Sequence, residues 1–261
     1  MRITSTANPR VQASVRLRDR KGREASGRFL IEGRRELDSA LNSGVQLLEA
    51  FVRDGWQERV GDATAHLLEA SGAALIEVSE RVADRLSYGG QTSPVVAVAK
   101  IPSAGLPDLG GPGPIVVLDG IEKPGNLGAV VRTAAGFGVC AVIVADAPAD
   151  PYGPNAVRAS QGAVFHVPVL AMSGAAARSA LRDEGRPICV ATPDGGVPPW
   201  ELSLASTWAV VIGREDRGVS AGWVEAADYR VSIPLEPGVD SLNLSVAAAI
   251  LLHECRRPDR E

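Results

Sequence analysis

The chain is poor in the residues that build metal clusters and disulfide frameworks, with three cysteines and three histidines among 261 residues. Cys140, Cys189 and Cys255 are odd in number, far apart and each set among apolar neighbours, which is how buried thiols behave rather than bridges or ligands. His66, His166 and His253 are equally scattered, so no metal and no histidine-based triad is expected. No run of about 18 apolar residues occurs, and the opening MRITSTANPR lacks the apolar core of a secretory signal. A soluble, cytoplasmic protein is the expectation. Internal repeats and low-complexity tracts are also missing, so solenoids and repeat arrays fall away. Nor is there a basic total: a net charge of −4 argues against indiscriminate nucleic-acid binding.

What is present is the balance of an ordinary globular protein, 45% hydrophobic and 22% charged, long enough for one large domain or two modest ones. The average charge hides a local excess. Arg2, Arg10, Arg16, Arg18, Arg20, Lys21, Arg23, Arg28, Arg34 and Arg35 face only Asp19, Glu24 and Glu32 within the first 35 residues. Such an opening can neutralise nucleic-acid phosphates without reading sequence, and a solvated basic surface is the alternative. Residues 103–114, SAGLPDLGGPGP, hold four glycines and three prolines between apolar runs, the composition of a linker. Two domains are therefore expected, residues 1–102 and 115–261.

Ahead of the linker, FLIEG, LLEAFV, ALIEVS and VVAVA read as strands. Helical patterns fall at Arg34 to Asn42, near Ala63 to Ser71, and at Glu80 to Leu86. Together they predict a small α/β layer domain. Beyond the linker, IVVLDG, AVIVAD, ICVATP and AVVIG are short Val- and Ile-rich runs separated by helical patterns, which suits a parallel sheet buried on both faces. A last helix is predicted in SLNLSVAAAILLHECRR, with Ser241 as its cap and Asn243 in its first turn.

Three segments combine glycines with polar residues beside these strands. In DGIEKPGNLGAVVRT, Gly120 and Gly125 have phosphate-loop spacing, but Asn126 stands where that motif needs lysine, and Gly125 and Gly128 do not make a dinucleotide fingerprint. Arg132 follows Asn126 by six residues, a separation taken to place both toward one side of a helix opening after a strand. In VVIGREDRGVS, Glu215 lies between Gly213 and Gly218; Arg214, Asp216 and Arg217 also read as a solvated charged turn. The third segment is VSIPLEPGVDSLNLSVAAAI.

In this order and near these separations the three segments resemble the sequence motifs of the SpoU/TrmH RNA methyltransferases. The likeness covers Ile115 to Arg257 and includes Asn126, Gly128, Arg132 and Thr133 at the first motif and RASQGAVFHVPV, from Arg158, between the first and second. More weakly, the front of the chain resembles the ribosomal-protein-like substrate-binding domain of rRNA-modifying members, on Asn8, Lys21, Arg23, Phe29, Glu32 and Gly33.

The resemblance implies an α/β fold with a deep C-terminal trefoil knot, a homodimer, S-adenosylmethionine as cofactor and methyl transfer to a ribose 2′-hydroxyl of RNA. It implies Thr192, Gly213, Ile233 and Leu242 around the cofactor, and Arg132 as the catalytic cation with Asn126, Glu215, Ser241 and Asn243 orienting it and the ribose. RNA is expected on Arg18, Arg20, Lys21, Arg23 and Arg158. An rRNA substrate is favoured over a tRNA because of the front domain, and intact Asn126, Arg132, Glu215 and Asn243 speak against a non-catalytic RNA-binding protein.

Overall fold

A computed structural model describes residues 2–90, 92–102, 109–202 and 207–256; the first half of the expected linker, residues 103–108, and Arg257 lie outside them. The chain divides into two compact units, Met1–Ser103 with Tyr152–His166, and Ala104–Pro151 with Val167–Glu261.

The first unit opens with β1 (Arg2–Ile3), α1 (Pro9–Arg16), α2 (Arg20–Ser26), β2 (Arg28–Glu32), α3 (Arg34–Asn42) and β3 (Leu47–Val52). It continues through α4 (Trp56–Val60), α5 (Asp62–Ala70), β4 (Ala74–Val78), α6 (Glu80–Leu86) and β5 (Val95–Lys100). Its five-stranded sheet has the order β1-β4-β3-β5-β2, with β5 antiparallel to both neighbours and the other pairings parallel. The sequence pattern omits α1, α2, α4 and β1, all of eight residues or fewer. One of them carried a signal: Asn8 caps α1 by accepting from the Arg10 N–H, and Pro9 occupies the first helical position.

The second unit begins with β6 (Ile115–Asp119), α7 (Pro124–Gly136) and β7 (Ala141–Ala145). The stretch that follows forms α8 (Pro154–Ser160) and a 3-10 turn at Ala163–Phe165, and it packs with the first unit rather than the second, where the sequence reading had kept it. There the rings of Tyr152 and Phe165 lie 5.0 and 5.9 Å from that of Phe29, which is fully buried in β2. The second unit resumes with β8 (Val169–Met172), α9 (Gly174–Asp183), β9 (Ile188–Ala191), β10 (Ala209–Ile212), α10 (Ala221–Ala226), β11 (Tyr229–Val231) and α11 (Leu244–Cys255).

The six strands of the second unit pair in the order β11-β9-β10-β6-β7-β8, every pair parallel. Residues Ile115 to Asp119, Ala141 to Ala145 and Ala209 to Ile212 are buried throughout, as strands covered on both faces must be. On one side α9 and α10 pack together around Trp223, and α7 packs against α11. Cys189 and Cys255 are buried, and burial pushes both thiols up to about 12, while Cys140 is half-buried. Among the described residues no helix is long and apolar enough to cross a membrane, and no group of three or more metal-ligating side chains converges.

Arg186, only 3% exposed, sits below this sheet and is satisfied by backbone carbonyls: Nε donates to Leu109 at 2.6 Å, Nη1 to Gly113 and Thr207 at 2.8 Å each, and Nη2 to Gly111. One side chain thus ties the chain entering β6 to the chain entering β10. Replacing it by methionine strands four acceptors, so Arg186→Met should lower unfolding stability by about 3 kcal/mol, with the urea midpoint falling at an unchanged slope. An unmoved midpoint would show that the carbonyls find other donors.

Candidate active site

After β6 the chain runs through α7 to β7 on one side; after β10 it runs through α10 to β11 on the other. Since β6 and β10 are paired neighbours, their C-terminal ends form the point where connections diverge, and in open parallel sheets ligands bind in the crevice that this opens. The crevice is fastened at its floor: Asp119, the last residue of β6 and 4% exposed, accepts from the Ser220 N–H at 2.7 Å, just before α10.

Two cavities lie at this edge. The larger, about 430 Å³, is lined by the loops following β9, β10 and β11 and by the start of α11. It brings together all four residues expected at the cofactor, Thr192, Gly213, Ile233 and Leu242, and adds Ser241 and Glu215. Its walls are apolar at Ile212, Val219, Val231, Leu235 and Leu244, with acids at Asp216 and Asp240 and cations at Arg214 and Arg217. Gly213 is required by a tight turn, because a Cβ there would meet the Gly218 backbone at 2.2 Å. Arg214 and Gly218 close that turn by exchanging backbone hydrogen bonds of 3.0 and 2.9 Å.

The smaller cavity, about 210 Å³, is lined by Ile121, Glu122, Lys123 and Asn126 after β6, by Arg214, Glu215 and Asp216 after β10, and by Leu244. Glu215 therefore faces both cavities. Its Oε1 accepts from Asn126 Nδ2 at 3.1 Å and, at the longer 3.5 Å, from the Leu244 N–H; its Oε2 accepts from Lys123 Nζ at 3.2 Å. The Lys123 ammonium, then the Leu244 N–H and Asn126, hold this carboxyl below the usual range, so it is an anion at neutral pH. Arg214 is no solvated turn residue: it is pinned by Glu122 at 2.6 Å and bidentately by Asp216 at 2.9 Å. Lys123 and Glu122 also belong to the site, although the sequence marks them only by a charge order opposite that of Arg214 and Glu215.

Two expectations need correction. Six helical residues turn the direction by about 240°, so Arg132 does not share a side with Asn126. It is exposed on α7 and lines neither cavity, whereas Asn126 is half-buried against Glu215. At α11 the roles of Ser241 and Asn243 are reversed. The helix starts at Leu244 with Asn243 as its cap, Oδ1 accepting from the Ser245 N–H at 2.9 Å and from its hydroxyl at 2.7 Å, while Ser241 lines the larger cavity.

In the first unit the basic opening is less free than its charge count suggests. Arg2, Arg10 and Arg34 pair with Asp54, Glu49 and Asp38, acids from later in the chain. Arg23 is a correction. It is 4% exposed, and its Nη1 donates to the Leu17 and Arg18 carbonyls at 2.8 Å each, which closes the corner between α1 and α2 and leaves it unable to reach a phosphate. Arg18 donates to the Arg85 and Ser87 carbonyls, and Arg158 to the Tyr88 carbonyl while pairing with Glu32 at 3.4 Å. Both guanidinium groups flank the Tyr88 ring, at 5.8 and 5.9 Å from its centre. Arg20, paired with Glu24, and Lys21 are exposed.

The second unit is thus an α/β domain with a crevice of small-molecule size at the switch point of a parallel sheet. The SpoU rRNA Methylase family matches residues 113–253, and the MRM3-like substrate binding domain matches residues 8–97. The 23S rRNA (guanosine(2553)-2′-O)-methyltransferase of Bacillus subtilis is 30% identical over 97% of this chain and 98% of its own. A solved RNA 2′-O ribose methyltransferase is 40% identical with a TM-score of 0.81, covering 98% of each chain. The AdoMet-bound rRNA methyltransferase of Sinorhizobium meliloti is 26% identical with a TM-score of 0.88, over 98% of this chain and 97% of that one. The chain belongs to the SpoU rRNA methylase family and is an S-adenosylmethionine-dependent RNA 2′-O-methyltransferase.

Asn243 caps α11 and lines neither cavity, so the catalytic role that the resemblance implies for it is tested by substitution. Aspartate keeps the oxygen that caps α11 but loses the amide donor, whereas alanine loses both. Asn243→Asp should therefore unfold within a degree or two of the parent while methyl transfer collapses, and Asn243→Ala should also lose about 1 kcal/mol of stability. Thermal scans beside a methyl-transfer assay check this; full activity in Asn243→Asp would confine the residue to capping.

Proposed function

We propose that this protein is a cytoplasmic enzyme that methylates the 2′-hydroxyl of one ribose in 23S rRNA, acting as a homodimer. In this reading residues 1–102, with Tyr152–His166 packed among them, are the RNA-binding domain, residues 103–114 lead into the second unit, and the rest of residues 115–261 is a catalytic domain with a trefoil knot. The observation that carries it is the convergence of Thr192, Gly213, Ile233 and Leu242 on one cavity whose wall, Glu215, is shared with Asn126 in the next. Ribosomal RNA is favoured over tRNA because relatives matching nearly the whole chain are named for 23S rRNA positions.

The larger cavity fits the cofactor. Its volume lies in the range of small-molecule sites, roughly 300 to 1,000 Å³, its apolar walls suit an adenosyl group, and Asp240 suits the cofactor's positive groups while Arg217 suits its carboxylate. Bound there, S-adenosylmethionine supplies an electrophilic methyl group. The chain's own part is positioning and electrostatics. Arg132 cannot serve as a base, since a guanidinium holds its proton above a pKa of about 12; it is the cation that steadies the adjoining phosphate and the ribose oxygen while the proton of that oxygen passes to water. Because it lines neither cavity of its own chain, a second copy is the natural source of that cation. Glu215 fixes Asn126, and the Asn243 amide, its oxygen engaged at the cap, presents its N–H donors to a ribose oxygen.

Incubation with methyl-labelled S-adenosylmethionine and separated rRNA and tRNA pools, followed by mapping of the blocked ribose, should place the label in 23S rRNA at one 2′-oxygen; label confined to tRNA would overturn the substrate. In the same assay Arg132→Ala should lose at least about a hundredfold, and Arg132→Lys should recover little, because lysine lacks the planar fork. Undiminished turnover in Arg132→Ala would remove it from the mechanism.

RNA affinity should fall with salt more shallowly in an Arg20→Ala, Lys21→Ala double variant, by about one unit of slope per lost phosphate contact, with cofactor affinity unmoved. An unchanged slope would return these residues to solvated surface.

A further inference from the structure

Because β6 and β10 are neighbours, the loops that follow them run side by side. Two consecutive residues of the first, Glu122 and Lys123, meet two consecutive residues of the second, Arg214 and Glu215, in opposite charge order. Arg214 Nη1 lies 2.6 Å from Glu122 Oε1, and Lys123 Nζ donates to Glu215 Oε2 over 3.2 Å. We propose that this double clasp positions the reaction site, and that Lys123 is the positioning residue that aims the Glu215 carboxylate at Asn126 and the first N–H of α11. The inference rests on the reading that places Glu215 in the methyl-transfer site.

The geometry says why a second hold is needed. Rotation about the last torsion of a glutamate is broad and nearly two-fold, so a carboxylate held by one oxygen can swing and exchange its oxygens at little cost. Asn126 and Leu244 both contact Oε1, at 3.1 and 3.5 Å. Lys123 is the partner given to Oε2, and with it the plane of the carboxylate is fixed. The companion pair holds the loop itself: Arg214, bound to Glu122 and bidentately to Asp216, lies against Gly120, where a Cβ would come within 3.2 Å of its Cδ. Gly120 has φ +68°, so the turn that admits this side chain also demands a glycine.

Magnitude separates orientation from stability. The Lys123 side chain is 73% exposed and that of Glu215 is 33% exposed, and ion pairs so open to water add little to folding. What such a contact can do is hold a direction, where small misplacements of reacting groups are costly. The Lys123 hydrogen bond is also the foremost influence holding the Glu215 carboxyl below its ordinary value.

The test uses the full-length enzyme with RNA substrate and labelled S-adenosylmethionine. Lys123→Met keeps the aliphatic stem and removes the ammonium. It should lower kcat by about tenfold or more, as a small misplacement does, while cofactor Kd by calorimetry and the melting temperature stay near the parent values. Lys123→Arg should restore most of kcat. Parent-like kcat in Lys123→Met overturns the proposal, as does a rise confined to the KM for RNA, which would make Lys123 a phosphate contact. Parallel losses of kcat, cofactor affinity and melting temperature that arginine does not rescue overturn it too, by assigning a structural role. Glu215→Gln separates the two layers. If it is fully active, the reading of Glu215 fails; if it is inactive while Lys123→Met is normal, the clasp alone fails.

Discussion

The divergence of the connections that follow β6 and β10 is the constraint on which the rest of the second unit depends. Parallel pairing sends both strands out at the same edge, and the opposite crossovers that follow must part there, so the segments after β6 and β10 cannot cover one another. The vacated space is a crevice whose rim joins the strand ends to the loops that follow β9, β10 and β11. Its members are therefore held by the sheet, by the Asp119 carboxylate under Ser220, and on the opposite edge by the Arg186 guanidinium across the two incoming chains. A rigid rim suits a reaction in which the protein's contribution is mainly the placement of groups that already carry their charge.

Glu215 lines both cavities, as Arg214, Asp216 and Leu244 also do. Its carboxylate belongs to the wall of both, and its partners come from three separate elements: the loop after β6, the first turn of α7 and the N-terminus of α11. Cofactor-side and nucleophile-side geometry are thus not independent variables in this fold. A shift of the Gly213 to Gly218 turn reaches Asn126 through one side chain.

Much of this was legible in the sequence, for identifiable reasons. Strands buried on both faces leave unbroken Val- and Ile-rich runs, so β6, β7, β9 and β10 were readable, while β8 and β11 lie at the two edges of the sheet, are only partly buried and break that pattern. The cofactor-side residues were placed by family likeness and not by periodicity. Side-chain commitments were the blind spot. Nothing in the string of arginines near the start tells Arg23, which turns inward to carbonyls, from Lys21, which stays in water. Helical phase was misjudged at Arg132, because a six-residue step returns only two-thirds of a turn. The cap of α11 was misplaced by two residues, since serine and asparagine are both good caps and only the backbone decides between them.

The place of Tyr152–His166 bears on how the chain can come to be folded during synthesis. Phe29 is among the first core residues to be made, yet two of the rings around it, Tyr152 and Phe165, are made after β6, α7 and β7. The N-terminal unit can pair its five strands once Lys100 has been translated, but its aromatic core stays open until His166 has followed. A nascent chain must therefore hold an unfinished hydrophobic surface while the opening strands of the next sheet emerge, and a fragment ending at residue 102 would keep that surface bare for its whole lifetime.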